Sequence, residues 1–276
     1  MAAIAREVRT YGDPFRAPVA LISGAVTTTI AEQALARWSL SDALVILKNG
    51  NTTIGGSLTV NSNDGLLATA TYGSGTASSL GAGTRMMWYP KKAAFRAGIV
   101  TGTQWNDANI GDFSVAMGND TKATSEFSFA SGLQSEATGF ASFAHGQASI
   151  ASGFHSIAMG YGAQATAGNA STSIGYYTKA FGLGSTALGT STTASGSNST
   201  ALGYSTTASG FGSSAIGNGT TASGSSSTAM GFNSIAGGSY STAIGNGANT
   251  SGTNSTALGK TTTASGFTST AMGLET

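Results

Sequence analysis

The chain has 276 residues, a formal net charge of +1 and no cysteine, and 41 of its residues are glycine. This balance gives no electrostatic case for nucleic-acid binding, which needs clustered lysine and arginine, and it leaves no disulfide framework. Because only 8% of the residues are charged, solubility must come from hydroxyl and amide groups, as in structures built from tight turns and narrow sheets.

Residues 1–66 have ordinary side chains and no repeat. Thr29 and Glu32 form a candidate capping box for a helix that begins at Ile30, and residues 43–47 predict a buried strand. Residues 54–60 resemble the glycine-rich strand pairs of phage tail-fibre shafts. We therefore predict a small mixed α/β region that docks the chain on a larger assembly.

Charged residues interrupt the first 24 positions of the chain. No run approaches the roughly 20 apolar residues of a membrane span. We therefore expect neither a signal peptide nor a membrane-spanning helix.

Residues 67–112 are predicted to form a neck or capping junction. Arg85, Trp88 and Arg96 belong to its one dense mixture of basic and aromatic residues, at positions 85–98. Because tryptophan and arginine stack well on sugars and planar groups, these three are candidate surface recognition residues. The alternative, which we favour, is that the segment covers the first coil of the repeats that follow, since the ends of a solenoid need caps.

Residues 113–276 repeat a Ser-x-Ala-x-Gly motif twelve times. The motif begins at Ser114, Ser128, Ser142, Ser156, Ser171, Ser185, Ser199, Ser213, Ser227, Ser241, Ser255 and Ser269. The spacing is 14 residues, except for 15 between Ser156 and Ser171, and most units also contain an Ala-x-Gly motif. A 14-residue unit is too short for a helical repeat but long enough for two short strands and two turns. Each unit is therefore predicted to be one coil of a parallel β-roll.

Alternation along the longer strand places the serine, alanine and glycine on an inner face, where their small size suits a narrow interior. The second outward position forms a column that we predict to lie on a trimer axis: Met117, His145, Met159, Ile174, Leu188, Leu202, Ile216, Met230, Ile244, Leu258 and Met272, with Ser131 in the second unit. Ten of these twelve residues are large and apolar. Left in water, each would forgo roughly 1.5–3 kcal/mol, so we expect closed rotational symmetry with equal columns meeting on an axis.

The repeat unit resembles the head repeat of YadA-type trimeric autotransporter adhesins, in which an Asn-Ser-Val-Ala-Ile-Gly-like strand alternates with an Ala-x-Gly strand. Residues 198–203 and 254–259 match this pattern, with Thr200 and Thr256 in place of valine. The resemblance covers about residues 113–273 and implies a left-handed parallel β-roll and a homotrimer, neither of which follows from the periodicity. The expected fold class is thus all-β, a trimeric parallel β-roll solenoid after the mixed α/β region.

No catalytic, cofactor-binding or metal-binding residue is predicted, because the repeats supply almost no acids, bases or activated nucleophiles. His145 interrupts the apolar column, and we favour a plain polar layer there over a bound anion, water or metal ion. His155 is expected to be exposed in a turn. Among exposed aromatic residues, which we place in turns, the candidates for surface recognition are Tyr161, Tyr176, Tyr204 and Phe232. Their alternative role is to stack between neighbouring coils.

These features favour a non-enzymatic attachment fibre, a homotrimer that binds a glycan or protein receptor on a cell surface. The preferred setting is a tail fibre or spike of a phage or phage-like contractile injection particle, assembled in the cytoplasm and attached to baseplate or particle proteins through residues 1–66. The alternative setting is a bacterial surface-exposed trimeric adhesin. Two further classes are an ice-binding solenoid, suggested by a regular column from Thr172 to Thr270, and a glycan-degrading tailspike, which would need paired carboxylates.

Overall fold

The computed structural model describes residues 67–75 and 81–276. The predicted helix after Thr29, the strand at residues 43–47 and the docking region of residues 1–66 lie outside the described residues.

The described residues contain 25 strands and two short 3-10 turns, Pro90–Lys92 and Asp107–Asn109. The strands are β1 (Gly83–Tyr89), β2 (Ala94–Val100), β3 (Val115–Asn119), β4 (Lys122–Ala123), β5 (Phe129–Leu133), β6 (Glu136–Ala137), β7 (Phe143–Gln147), β8 (Ile150–Ala151), β9 (Ile157–Tyr161), β10 (Gln164–Ala165), β11 (Thr172–Tyr176), β12 (Lys179–Ala180), β13 (Thr186–Thr190), β14 (Thr193–Ala194), β15 (Thr200–Tyr204), β16 (Thr207–Ala208), β17 (Ser214–Asn218), β18 (Thr221–Ala222), β19 (Thr228–Phe232), β20 (Ile235–Ala236), β21 (Thr242–Asn246), β22 (Asn249–Thr250), β23 (Thr256–Lys260), β24 (Thr263–Ala264) and β25 (Thr270–Leu274).

From β3 onward, five-residue and two-residue strands alternate and form two sheets. The long strands join the hairpin β1–β2 in a 14-stranded sheet, and the short strands form an 11-stranded sheet. Only the hairpin is antiparallel, and each repeat strand pairs in register with its equivalent, as Leu188 does with Leu202 and Leu202 with Ile216. The prediction of an all-β parallel solenoid with a 14-residue spacing is confirmed for these residues, which form eleven complete coils and a twelfth long strand.

The interior of the roll is a set of stacked columns of small side chains. The alanine column that contains Ala187, Ala201 and Ala215 has no solvent-exposed area. Eleven of the twelve motif serines are also buried. In nine of the twelve units the serine hydroxyl donates to the carbonyl oxygen three residues earlier, as from Ser213 to Gly210 at 2.8 Å, whereas the hydroxyls of Ser185, Ser199 and Ser227 have no partner. Serine therefore suits this column because it is small and finds its hydrogen-bond partner in its own turn.

The residue before each short strand also faces the interior. Thr192, Thr206 and Thr220 are fully buried there. The sequence-based interpretation places Thr206 in a turn, but the alternation of the short strand extends back to it, so that Thr206 and Ala208 face the interior and Thr207 between them faces outward.

The glycine of the long strand is required by its backbone conformation and by its close contact with the next coil. The sequence-based interpretation gave only its small size as the reason. Gly203 has a φ of 126°, a region that side chains other than hydrogen rarely adopt. A Cβ atom added there would lie 1.9 Å from the carbonyl oxygen of Gly217 in the next coil. Glycine at this position therefore permits the close stacking of consecutive coils.

The turns hold the remaining strained backbone and absorb the irregular spacing. His155 (φ 55°), Asn198 (φ 57°) and Asn254 (φ 57°) occupy equivalent left-handed turn positions, and His155 is exposed as predicted. The additional residue of the 15-residue unit lies between Ala165 and Thr172, because Gln164 still pairs with Ile150 in regular register. The insertion therefore leaves every strand face unchanged.

Candidate interaction surfaces

The column from Met117 to Met272 lies on the outer face of the long sheet, as the alternation predicts. Its members are direct neighbours in successive strands, and their side chains stay partly or largely exposed, from half-buried Leu188 to Leu202 at 40% and Met272 at 63%. None of the twelve positions is Asp, Glu, Lys or Arg. A single chain thus presents one long apolar column to its surroundings.

A second outward column runs beside this one, two residues earlier in each long strand. It begins with Val115, Phe129, Phe143 and Ile157, and continues with serine and threonine from Thr172 onward. The rings of Phe129 and Phe143 stack at 5.1 Å. The regular threonine column therefore shares a face with the apolar column, so any contact that covers one covers much of the other.

His145 and Ser131 occupy neighbouring positions in the apolar column. The Oγ atom of Ser131 and the Nδ1 atom of His145 lie 2.7 Å apart and form a hydrogen bond. Met117 precedes the pair in register and Met159 follows it. The sequence predicts the polar interruption, and the structure adds that its two members are bonded to each other.

The candidate aromatic residues lie at the ends of strands and not in turns, which corrects the sequence-based placement. Tyr161, Tyr176, Tyr204 and Phe232 each end a long strand and point outward on the face of the apolar column. All four are exposed, at 37%, 51%, 56% and 48%. The error arose because the strand extends one residue beyond the motif glycine.

The tyrosines form the densest aromatic cluster on the roll. The rings of Tyr161 and Tyr176 stack at 5.1 Å, and Tyr177 packs edge-on against both, at 5.2 and 4.6 Å. Tyr177 occupies the turn after the strand and is 46% exposed, so the cluster reaches the rim of the face. Both the recognition and the stacking roles are therefore geometrically available to these residues.

A separate aromatic ladder, which sequence analysis missed, follows the opposite turns. Tyr72 stacks on Phe113 and Phe113 on Phe127, each at 5.1 Å, and Phe127 meets the edge of Phe140 at 5.6 Å. The hydroxyl of Tyr72 also donates to Asp112 at 2.7 Å. The 14-residue recurrence of Phe113 and Phe127 was the available signal. These contacts link residues 67–75 to the first coils.

Strand β2 and a buried arginine cover the first coil. β2 pairs in parallel with β3, with Arg96 opposite Ala116. The Arg96 guanidinium donates to the carbonyl oxygens of Ser114 and Ala123, both at 2.9 Å, and to the Ser114 hydroxyl at 2.8 Å. Burial lowers the pKa of Arg96 to about 10. Arg96 is not a surface recognition residue, because its side chain is fully buried.

The two other candidates of this segment lie on the hairpin strand β1. Trp88 is 44% exposed, whereas Arg85 is half-buried and donates to the carbonyl oxygen of Gly81 at 2.6 Å. The buried aromatic residues are Tyr89 and Trp105, and the indole nitrogen of Trp105 donates to the carbonyl oxygen of Thr121 at 3.0 Å. The hairpin thus leaves Trp88 as its best-exposed recognition candidate.

A lysine and carboxylate cluster fixes the turn that follows this hairpin. Asp107 accepts from the hydroxyl of Tyr89 at 2.8 Å and from the ammonium group of Lys91 at 3.2 Å, and it pairs with Lys92 at 3.4 Å. The bond from Tyr89, reinforced by the two lysines, lowers the pKa of Asp107. These contacts hold residues 89–92 against Asp107 and so stabilise the junction.

One shallow cleft brings two carboxylates together, at Asp120 and Glu136. Asp120 accepts from the amide and hydroxyl of Thr101 and from Gln104, and Glu136 pairs with Lys122 at 2.5 Å. Glycoside hydrolysis needs one carboxyl group held as a protonated acid. The two carboxylates here are instead engaged by neighbouring side chains, Asp120 by Thr101 and Gln104 and Glu136 by Lys122.

Within residues 67–75 and 81–276, no helix has the length and hydropathy needed to cross a membrane. In the same residues of one chain, no group of three or more His, Cys, Asp or Glu side chains is arranged to hold a metal ion.

Comparison with known proteins identifies the repeat tract. The model of the YadA head domain repeat, a two-copy unit, matches residues 110–135, 151–178, 167–192, 180–206, 208–234 and 236–262. No curated protein matches the chain at a significant level. The matched segments lie between the first and the eleventh coil and leave residues 136–150 unmatched.

Proposed function

We propose, from the premise that residues 110–262 are YadA-like head repeats, that the chain forms the attachment rod of a homotrimeric, non-enzymatic adhesin. The outward column from Met117 to Met272 is the observation that carries this proposal. It is apolar in ten of twelve coils and contains no lysine, arginine or carboxylate. Three such columns meeting on one axis would remove those side chains from water, a gain of about 1.5–3 kcal/mol for each.

The head-repeat match favours a rod exposed on a bacterial surface, and we adopt that setting. The second candidate is a tail fibre or spike of a phage or phage-like contractile injection particle, favoured by the shaft-like residues 54–60. In that setting residues 1–66 would dock on baseplate or particle proteins. Immunogold labelling with an antibody against the roll separates the two settings, since label on intact cell envelopes supports the first and label on released particles the second.

We assign receptor binding to the cluster of Tyr161, Tyr176 and Tyr177, and we infer that its ligand is a glycan. Exposed tyrosine rings offer flat faces to the C–H groups of sugars, and their hydroxyls can donate and accept hydrogen bonds. Between Glu136 and Glu275 the only charged residues are Lys179 and Lys260. A weakly charged aromatic surface of this kind suits a neutral glycan better than a charged peptide.

The test is binding of the full chain to target cells or a glycan array, with all three tyrosines changed to alanine in one variant. We expect about a tenfold or greater loss of affinity, because base–aromatic and sugar–aromatic stacking is worth on the order of 1–3 kcal/mol for each contact. Tyr240→Ala is the control, since Tyr240 is 63% exposed in a distant turn. Equal binding by both variants would refute this surface, and binding that survives glycosidase but not protease treatment would indicate a protein receptor.

A further inference from the structure

The second and third coils reverse the pattern of the two outward columns. In most of the roll the apolar column carries Met, Ile or Leu, and the column beside it carries threonine. In these two coils the apolar column holds Ser131 and His145, while the column beside it holds the stacked rings of Phe129 and Phe143. The polar pair therefore has two aromatic rings beside it in the neighbouring column, with Met117 before it and Met159 after it in its own column.

The hydrogen bond to Ser131 leaves one ring nitrogen of His145 available. Nδ1 is the atom that meets the serine hydroxyl, at 2.7 Å, so Nε2 is the nitrogen left for another partner. Histidines that bind metals characteristically hold their second ring nitrogen in a hydrogen bond of this kind, which fixes the ring orientation and the tautomer. When Nδ1–H donates to Ser131, the lone pair of Nε2 is free to bind a cation.

We propose that three copies of His145, one from each chain of the trimer, bind a divalent transition-metal ion such as Zn²⁺ or Ni²⁺ on the axis. The inference rests on the proposed homotrimer, because one chain supplies a single imidazole and the site is incomplete without the other two. Imidazole nitrogen is a preferred ligand for these ions. The ion would cross-link the three chains near the first coils of the roll.

A bound cation explains this layer better than a bound anion or an unoccupied polar layer. When Nδ1–H donates to Ser131, three such imidazoles facing one another among apolar side chains would leave their Nε2 lone pairs without donors, which is costly in a dry environment. An anion would need positive partners, and the outward columns of these coils contain no lysine or arginine. The charged Lys122 and Glu136 belong to the short sheet and pair with each other.

The experiment uses the full chain without an affinity tag, because a histidine tag would itself bind metal. Zn²⁺ is titrated by calorimetry, and metal content and oligomeric mass are measured together by native mass spectrometry. We expect one ion for every three chains, and no such ion in His145→Asn. His155→Asn is the matched control and should bind as the original chain does, because His155 is exposed in a turn remote from the column.

A second variant tests how the site is built without removing the ligand. Ser131→Ala should keep the trimer but weaken zinc binding about 10–100-fold, as expected when the partner that orients a metal-bound histidine is lost. A trimer that binds no zinc, or that still binds it in His145→Asn, would overturn the metal site while leaving the homotrimer standing. A monomer at micromolar concentration would overturn the homotrimer and the metal site with it.

Discussion

Three small residues recur in the long strand of each coil, and each is required for a different physical reason. The serine is buried and donates to its own turn, as Ser213 does to Gly210. The alanine fills an interior that has no room for a larger side chain, as Ala201 shows at 0% exposure. The glycine combines a positive φ with contact to the next coil, as at Gly203. Substitution at each of these three positions should therefore destabilise the roll for a different physical reason.

Gly203→Ala is expected to destabilise the roll strongly. The new methyl group would require an unfavourable φ, worth about 1–3 kcal/mol, and would collide with the carbonyl oxygen of Gly217. Gly273→Ala is a matched control, because Gly273 has nearly the same φ (121°) but its nearest neighbour to an added Cβ is 3.7 Å away. Thermal unfolding followed by circular dichroism should show a clearly larger loss for Gly203→Ala. Equal losses would show that φ alone, and not contact between coils, sets the requirement.

At this scale the sequence predicts the inner and outer faces but not the ends of strands. Alternation from Ser199 places Ala201 inside and Leu202 outside, and the structure agrees. It does not reveal that Tyr204 continues the strand, because hydrogen bonding to the next coil decides where a strand ends. For the same reason Thr206 appears from the sequence to be a turn residue, although it is buried.

At the scale of elements, strand β2 of the hairpin β1–β2 is a partial thirteenth copy of the long repeat strand, although its sequence lacks the motif. Ala94 and Gly98 stand where the motif has serine and glycine, and β2 pairs with β3 in the register of the repeats. Arg96 hides the relationship, because arginine is among the residues least expected in a buried column. The end of the roll makes this arginine favourable, because its guanidinium adds a charged donor to the carbonyl oxygens of Ser114 and Ala123, which also accept from the amides of Phe95 and Gly111.

Arg96→Ala should loosen the first coil and leave distant coils unchanged. The substitution removes the charged donor from the carbonyl oxygens of Ser114 and Ala123, which keep the amides of Phe95 and Gly111 as partners, and a hydrogen bond to a charged group is worth about 1.5–3 kcal/mol. Hydrogen exchange of peptides from residues 94–119 should accelerate about tenfold or more, while peptides from residues 199–232 keep their protection, because coils contact only their neighbours.

Arg85→Ala is the control for this experiment, since Arg85 is half-buried and makes one bond to Gly81. It should change exchange in residues 94–119 much less than Arg96→Ala does. Uniform acceleration along the whole roll in Arg96→Ala would instead indicate that the roll unfolds as one cooperative unit, and would contradict a local capping role.

At the scale of the whole roll, the stacking of coils determines its length. The proposed recognition depends instead on positions that depart from the repeat. Twelve long strands at the roughly 4.8 Å separation of paired strands give a roll on the order of 55 Å long. The side chains that differ from the repeating small and aliphatic residues are the tyrosine cluster at Tyr161, the polar pair at His145 and the hairpin residue Trp88. Periodicity reveals where the repeat is broken, but which broken positions meet, as Tyr176 and Tyr177 do, depends on the turn geometry.

The proposed homotrimer makes the sharpest prediction for the whole molecule, through Leu202→Asp. Leu202 is already 40% exposed in one chain, so the substitution should leave the coil folded and act on assembly alone. A trimer would lose about 1.5–3 kcal/mol of apolar burial from each chain and would bring three carboxylates together, so we expect trimer affinity to fall by several orders of magnitude. Sedimentation equilibrium at micromolar concentration measures this directly.

The control is Thr207→Asp, which adds the same charge on the outward face of the short sheet. If the apolar column is the assembly surface, Thr207→Asp remains trimeric while Leu202→Asp sediments as a monomer with an unchanged circular dichroism spectrum. Trimers in both variants would place the subunit contact on another face. His145 would then have to be explained as a feature of the free surface, because its assigned role depends on three copies of the column meeting on one axis.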